Sequence, residues 1–208
     1  MKKFFAIVIA SLLLGGVSMQ AQGIKWSVEG GYLGSTVSIS AMGASTSWDF
    51  NGFYAGVGAD FAMKAENLSI ASGLFWDYKS MDLGVGDVKA NYIRVPVQLK
   101  YTYPAAEGIK LFASAGPSIN VGTFGKADVN PNYFYDDYYD DTTDPYDDNA
   151  FGKDALKRIH VQLGLSVGIV ISEQFIISLG YDYGLTKGMD VNLTNRVNAF
   201  KVGVGYSF

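Results

Sequence analysis

The sequence predicts an all-β protein, an eight-stranded antiparallel up-and-down transmembrane β-barrel with short periplasmic turns and long extracellular loops. Three observations lead to this fold class: segments that alternate apolar and polar residues, eight such segments in 208 residues, and connections of alternating length. The last segment shows the alternation best. Its apolar face carries Phe200, Val202, Val204, Tyr206 and Phe208, and its other face carries Lys201, Gly203, Gly205 and Ser207.

The first residues have the composition of an export signal. Lys2 and Lys3 precede the apolar run 4–14, and Ala21 offers a small residue for cleavage. The apolar run is shorter than the roughly 20 residues of a membrane-spanning helix. We therefore expect residues 1–21 to be a signal peptide and residues 22–208 to form an outer-membrane barrel, inserted after export through the inner membrane.

The strands are expected in the order in which the alternating segments occur. They cover residues 24–33, 53–61, 68–78, 91–103, 109–121, 159–171, 175–183 and 200–208. Short links are expected at 63–67, 104–108 and 172–174, and long loops at 34–51, 79–90, 122–158 and 186–196. Short turns on one side and long loops on the other are typical of outer-membrane barrels, and the even strand number places both ends on the periplasmic side.

Charge decides which face of the barrel points outward, because a soluble lipocalin-like barrel has the same period with its apolar face inside. An outward Arg or Lys near the membrane midplane would cost about 2 to 4 kcal/mol. Turned inward, acids and bases can pair, and glycines leave room for them. The predicted lumen charge network consists of Glu29, Asp60, Asp77, Asp182, Arg94, Lys100, Lys110 and Lys201.

Two prolines interrupt otherwise regular strands. Pro96 and Pro117 lie inside the fourth and fifth segments, and proline cannot donate to a strand ladder. Folding the hairpin about Ala106 places position 96 opposite position 116. We therefore expect both prolines to share one β-bulge in the upper wall.

The longest loop carries an unusual acidic and tyrosine-rich segment, residues 132–151. Its carboxylates are Asp136, Asp137, Asp140, Asp141, Asp144, Asp147 and Asp148. Such a charge run is typical of a solvated acidic loop. A Ca²⁺ site is the alternative, because Ca²⁺ takes 6 to 8 oxygen ligands, although the EF-hand spacing is absent. No cofactor is expected from any other motif.

Composition excludes several classes of function. The chain has no cysteine, so disulfides, a lipid-anchor thiol and thiolate metal sites are absent. Without Lys2 and Lys3, 14 basic residues face 20 acidic ones, and this net charge of −6 disfavours a nucleic-acid partner. The single histidine, His160, suggests a lipid-modifying hydrolase or acyltransferase with Ser118, Ser166 or Asp182, but no spacing selects these partners.

Several short motifs carry a family resemblance. The stretch Tyr92-Ile93-Arg94-Val95-Pro96-Val97-Gln98-Leu99-Lys100-Tyr101, then Ala115-Gly116-Pro117, Gly180-Tyr181-Asp182-Tyr183-Gly184-Leu185 and the terminal Phe208, resembles the small porin-like outer membrane protein beta-barrel domain proteins. The resemblance covers the mature chain and implies no catalytic residues. It implies that Val204, Tyr206 and Phe208 form the C-terminal signal read by the barrel-assembly machinery.

The function expected from these observations is that of a structural or surface-interaction barrel. Eight strands enclose a lumen that side chains fill, and four acids and four bases are available to fill it. The expected surroundings are outer-membrane lipid, with glycans, ions or proteins contacted by the outer loops of a monomer. A narrow porin or transport channel is the alternative, and a lipid-modifying enzyme is the third hypothesis.

Overall fold

The computed structural model describes residues 23–41, 44–82, 86–129, 149–151, 156–189 and 194–208. The expected signal peptide, residues 1–21, lies outside the described residues. None of the described residues forms a helix long and apolar enough to cross a membrane.

Eight antiparallel strands close into one barrel, as the sequence predicts. Each strand pairs with its neighbours in the chain, and β1 closes the ring by pairing with β8, where Tyr32 lies opposite Val202. The strands are β1 (Ile24–Ala41), β2 (Ala44–Ala62), β3 (Leu68–Asp82), β4 (Gly86–Ala106), β5 (Ile109–Val129), β6 (Ile159–Ile171), β7 (Phe175–Gly184) and β8 (Thr194–Ser207).

The two faces of the wall have opposite character. The outward side chains of the membrane band are apolar, and Val97, Leu165 and Val204 are each about half exposed or more. The inward side chains of the same strands are polar and buried, among them Gln98 and Asp182. The apolar face therefore points to lipid, as the charge argument predicts, because the polar groups find partners inside.

The strands extend beyond the membrane, so three of the expected long loops were wrong in extent. Residues predicted as loop at 34–51, 79–90 and the first part of 122–158 are mostly strand. On β1 and β2 the outward face changes from Tyr32 and Phe53 to Thr36 and Asp49, whose side chains are hydrogen-bonded at 2.7 Å. Outside lipid the outward face no longer needs to be apolar, so the alternation disappears while the strand continues.

The height of the wall is unequal around the ring. The strands β4 and β5 have 21 residues each, whereas β7 has only 10. At about 3.4 Å per residue and a tilt of about 40°, the long strands span roughly 55 Å along the barrel axis and β7 spans roughly 25 Å. Because the apolar band of such barrels is about 25 Å tall, the long strands project far into the extracellular space.

The expected β-bulge at the two prolines is wrong. Pro96 lies opposite Ser118, and Leu99 lies opposite Ala115 in the same register, so the pairing is regular on both sides. The irregularities of this hairpin occur instead at Asn91/Tyr92 and near the turn at Pro104/Ala106.

Candidate functional site

A buried ion pair lies inside the lumen between the neighbouring strands β3 and β4. Arg94 Nε lies 2.9 Å from Asp77 Oδ2, and Nη2 donates to Oδ1 at 3.2 Å. The guanidinium also lies over two aromatic rings, 4.7 Å from the centroid of Phe75 and 5.4 Å from that of Tyr54. These contacts hold a bulky cation in the lumen and satisfy the charge that its burial would otherwise leave unpaired.

A second ion pair with the same geometry lies between β7 and β8. Lys201 Nζ lies 2.7 Å from Asp182 Oδ2 and 2.9 Å from Oδ1, and both side chains are buried. In an eight-stranded ring the pair β7–β8 lies opposite the pair β3–β4, and each base also interacts electrostatically with the opposite acid. We call Asp77, Arg94, Asp182 and Lys201 the ion-pair layer.

The other predicted lumen charges lie nearer the periplasmic end. Lys100 Nζ pairs with Asp60 at 2.6 Å, and Glu29 accepts a hydrogen bond from Ser27 Oγ at 2.8 Å. Lys110 pairs at 2.7 Å with Glu173, an acid of the β6–β7 turn, and both residues line the small periplasmic cavity that also contains Asp60 and Lys100. The hydrogen bond from Lys110 lowers the pKa of the exposed Glu173 carboxyl below its ordinary value.

A small polar cavity occupies the lumen below the ion-pair layer. Its volume is about 90 Å³, and a neighbouring cavity of about 60 Å³ shares Ser27, Asp60 and Lys100 with it. Serine side chains and the carboxylate of Glu29 line the larger cavity, which has room for a few water molecules. Arg94 and Lys201 also line it, so the ion-pair layer forms a boundary of the water-sized space.

Apolar side chains close the lumen above the ion-pair layer. Phe151, the last residue of the acidic and tyrosine-rich segment, packs edge-to-face on Tyr92 with ring centroids 5.4 Å apart. A Cβ added at Gly122 would lie 2.5 Å from the Phe151 ring, so only glycine leaves room for it there. We call Tyr92, Ala150, Phe151 and Leu156 the aromatic lid; all four are buried in one hydrophobic cluster.

The chain's own backbone ties the aromatic lid to the wall. Ala150 N donates to Gly125 O at 3.4 Å, and Asn149 forms an isolated bridge with Lys126 of β5. On the other side Leu156 forms a bridge with Met189. The third long connection therefore folds inward over the lumen on both sides of residues 152–155.

Two buried groups were missed by the sequence argument. Lys79 was assigned to a loop, but it lies on β3 with its Nζ 5.1 Å from the centroid of the Tyr92 ring, between the ion-pair layer and the aromatic lid. Phe151 belongs to the segment that the sequence predicts to be a solvated loop, but its side chain is buried. Lys79 lies two positions after Asp77 and therefore on the same inward face of the strand, which would have identified it as a lumen residue. No periodic pattern identifies Phe151.

His160 faces the lumen near the outer end of β6, where its side chain is buried. Its ring packs edge-to-face on Tyr92 at 5.0 Å, and neither ring nitrogen has a hydrogen-bond partner among the described residues. Asp182 is engaged by Lys201, and Ser118 Oγ likewise has no partner in the described part of the chain. No hydrogen bond in the described residues links histidine, serine and acid into a triad.

The remaining predicted sites lie at the two ends of the barrel. The Ca²⁺ candidates Asp136, Asp137, Asp140, Asp141, Asp144, Asp147 and Asp148 lie outside the described residues. At the periplasmic end Tyr206 packs on Phe175 at 5.5 Å and on Phe208 at 6.5 Å, while Val204 points into the lipid band. This places the three residues of the predicted assembly signal along the outside of the closing strand.

Several solved outer-membrane proteins are similar to this chain. Neisserial surface protein A is 16% identical, with 89% of this chain and 97% of that chain covered and a TM-score of 0.51. Ail of Yersinia pestis, solved in complex with the heparin analogue sucrose octasulfate, is 17% identical, with 89% and 99% covered and a TM-score of 0.45. The outer membrane enzyme PagL is 11% identical, with 85% and 98% covered and a TM-score of 0.42.

No curated protein matches the chain. The model of one family does match, over residues 20–190, and its description is outer membrane protein beta-barrel domain. This match covers most of the chain and agrees with the closed ring, the apolar outer band and the polar lumen. The chain is therefore a protein of the Gram-negative outer membrane and belongs to the outer membrane protein beta-barrel domain family.

Proposed function

We propose that this protein works through its extracellular surface, as a surface-interaction barrel whose lumen does not conduct. The observation that carries the proposal is the double closure of the lumen by the ion-pair layer and the aromatic lid. A solute that crosses the barrel must displace two buried ion pairs and then the Phe151 ring. A buried charge that is left without its partner costs about 3 to 5 kcal/mol, so separating either pair in the lumen is unfavourable.

The extended strands supply the surface that such a function needs. The walls of β1, β2, β4 and β5 continue past the apolar band, and their outward faces there carry Thr36, Asp49 and similar polar groups. Rigid sheet is a better platform for recognition than a long loop, because less conformational entropy is lost on binding. In the sequence, the acidic tyrosine-rich segment follows the end of β5.

The partners that fit this surface are glycans, ions or proteins outside the cell. Tyrosine rings offer flat amphipathic contacts, and clustered carboxylates attract cations and cationic surfaces. Outer-membrane lipid surrounds the apolar band, and we propose that Val204, Tyr206 and Phe208 are read by the barrel-assembly machinery during insertion. We further propose that the acidic segment is solvated rather than a specific Ca²⁺ site, and that the barrel works as a monomer.

We also propose that the protein is not an enzyme. His160 lies among aromatic and amide groups, and Asp182 already satisfies its carboxylate with Lys201. A lipid-modifying activity would need a histidine oriented by an acid and near a nucleophile. If phospholipid or lipid A is turned over by the purified protein and His160→Ala abolishes the turnover, the enzyme hypothesis replaces this one.

The experiment that tests the proposed function removes residues 132–148 and keeps the aromatic lid. Cells that display the full chain or the shortened chain are compared for binding to a panel of surface glycans and extracellular matrix proteins. We expect the full chain to bind at least one of them and the shortened chain to lose most of that binding. Equal binding by both chains, together with solute uptake by liposomes that contain the full chain, would support the porin alternative instead.

A further inference from the structure

Among the described residues, the strand pairing does not close into a ring in the extracellular part of the wall. The pairing of β2 with β3 ends at Asn51 opposite Ser80, and the pairing of β5 with β6 ends at Val121 opposite Ile159. The pairing of β7 with β8 ends at Asp182. Above these points the described residues of the wall form two sheets, one of β8, β1 and β2 and the other of β3, β4 and β5, and each sheet has two edges that need a backbone partner or protection.

The chain covers the upper edge of β5 with its own backbone. Gly122 N donates to Arg158 O at 2.5 Å, and Ala150 N donates to Gly125 O at 3.4 Å. The bridge between Lys126 and Asn149 adds a third connection. The aromatic lid and its flanks therefore serve as an added strand for this edge.

The upper part of β8 holds the neighbouring connection with a side chain. Asn195 Oδ1 accepts hydrogen bonds from Gly188 N and Met189 N, both at 2.8 Å. Asn195 Nδ2 donates to Met189 O at 3.2 Å. The amide of Asn195 thus attaches the connection between β7 and β8 to the upper part of β8.

The upper edge of β2 differs from both. Residues 44–50 pair with β1 along their whole length, from Ala44 opposite Ala41 to Phe50 opposite Ser35. On their other side no strand of the described residues pairs with them, because the register with β3 begins only at Asn51. This segment is seven residues of edge strand that the described part of the chain leaves open.

The sequence of this edge lacks the features that block strand addition. Edge strands are commonly protected by lysine, proline or a bulge. Residues 44–50 read Ala-Ser-Thr-Ser-Trp-Asp-Phe and contain neither lysine nor proline, and the register with β1 is continuous. The one charge is Asp49, whose carboxylate accepts a hydrogen bond from Thr36 on the outward face of the sheet and not along its edge.

We propose that the edge of β2 over residues 44–50 is a docking site for an extended segment of another protein, which joins the sheet as an antiparallel strand. Backbone hydrogen bonds would supply the affinity, and the exposed Trp48 would supply side-chain selectivity. The inference rests on the proposed extracellular function and names its class of partner.

The membrane argues against a second copy of this chain as the partner. Two identical edges pair in antiparallel fashion about a twofold axis perpendicular to the sheet. Because the wall stands upright in the membrane, that axis lies in the membrane plane and turns one barrel upside down. A copy in the same membrane cannot adopt this orientation, whereas a segment that is free in the extracellular space can.

The test is hydrogen exchange of the backbone amides, measured by NMR on the full mature chain in lipid nanodiscs. The probe is a short synthetic peptide of alternating threonine and valine, and the matched control is the same peptide with N-methylated amides along one edge. Amides of residues 46–50 that point away from β1 should exchange rapidly in the free barrel. The probe should slow them about tenfold or more, and the N-methylated peptide should not.

Three results would overturn the proposal. Protection of these amides in the free barrel would mean that the edge is already occupied, and deletion of residues 132–148 or dilution would then identify the chain itself or a second copy. Equal protection by both peptides would show side-chain contact without strand addition. Rapid exchange that neither peptide slows would show an edge that does not accept strands. None of these three results bears on whether the lumen is closed. The proposed function fails on a different result, the uptake of solute by liposomes that contain the full chain.

Discussion

The two closures of the lumen are built from different chemistry. The ion-pair layer lies among strands that lipid surrounds, and its polar groups are held by β3, β4, β7 and β8 of the barrel wall itself. The aromatic lid lies near the extracellular end and is built partly from a connection that folds inward. Inside the membrane band the wall must satisfy its own charges, whereas at the outer end a loop can contribute apolar side chains.

This difference predicts different consequences when each closure is damaged. Damage to the ion-pair layer should affect the stability of the whole barrel, because its members belong to the strand ladder. Damage to the aromatic lid should mainly release a loop, because β1 to β8 remain paired without it. The variants below separate these outcomes.

The largest effect is expected for Arg94→Ala. The substitution leaves Asp77 buried without its partner, and it should lower the free energy of unfolding by about 3 to 5 kcal/mol. Equilibrium unfolding in urea in the presence of lipid vesicles measures the loss. As a control, Arg94→Met combined with Asp77→Leu removes both charges and should recover most of the stability. A loss below about 1 kcal/mol for Arg94→Ala would contradict the assignment of this pair to a buried layer.

The next effect is expected for Phe151→Ala, with Phe124→Ala as its matched control. Phe151 is 7% exposed and Phe124 is 63% exposed, so only the first substitution removes buried packing. Truncation of a buried Phe costs about 3 to 5 kcal/mol. Here most of this loss should reduce the local free energy that keeps the aromatic lid closed. Limited proteolysis should therefore cut the connection between β5 and β6 faster in Phe151→Ala, at nearly unchanged global stability. Equal cleavage of both variants would show that the lid is not closed in the membrane.

A smaller effect is expected for Lys100→Met. Its partner Asp60 is about a quarter exposed, so solvent screens the pair and water can replace the lost contact. The expected loss is about 0.5 to 1 kcal/mol by the same urea measurement. A loss as large as that of Arg94→Ala would mean that the Lys100–Asp60 pair is as buried as the ion-pair layer. The part of the lumen that holds water would then begin closer to the periplasm.

The smallest effect is expected at the periplasmic turn, between Lys110 and Glu173. The folded pKa of Glu173 lies below its ordinary value of 4.5, so the pair contributes stability above that pH, and the contribution is lost as the pH falls through the folded pKa. An NMR titration of the carboxyl should show the lowered pKa and its rise toward the ordinary value in Lys110→Ala, where Lys25 still lowers it slightly. An unchanged titration in Lys110→Ala would mean that the two side chains do not pair.

The sequence predicts the membrane part of this barrel well and its extracellular part poorly. Within lipid, every outward residue must be apolar, so alternation appears along β6 and the strand bounds 159–171 agree with the structure. Above lipid, the outward face of β1 carries Thr36 and that of β2 carries Asp49, and the alternation ends before the strands do. For the same reason Lys79 was assigned to a loop although it lies on β3 beside the lumen.

The residues of the candidate site likewise fall into those that the sequence predicts and those that it does not. The parity of residues along the strands places Asp77, Arg94, Asp182 and Lys201 in the lumen, and the structure pairs them. The partner of Lys110 is a turn residue, and the inward fold of Phe151 depends on the room left by Gly122. A periodic pattern predicts neither the Lys110–Glu173 pair nor the position of Phe151, because both depend on how a connection between strands packs against the barrel wall.

Single-channel recording in planar lipid bilayers tests the closed lumen most directly. The series consists of the full chain, Phe151→Ala, the variant Arg94→Ala with Asp77→Ala, and the combination of all three substitutions. We expect no steady current from the full chain or from either variant with one closure intact, and measurable current from the combination. Steady ion channels from the unaltered chain would contradict the account and make this barrel a narrow pore.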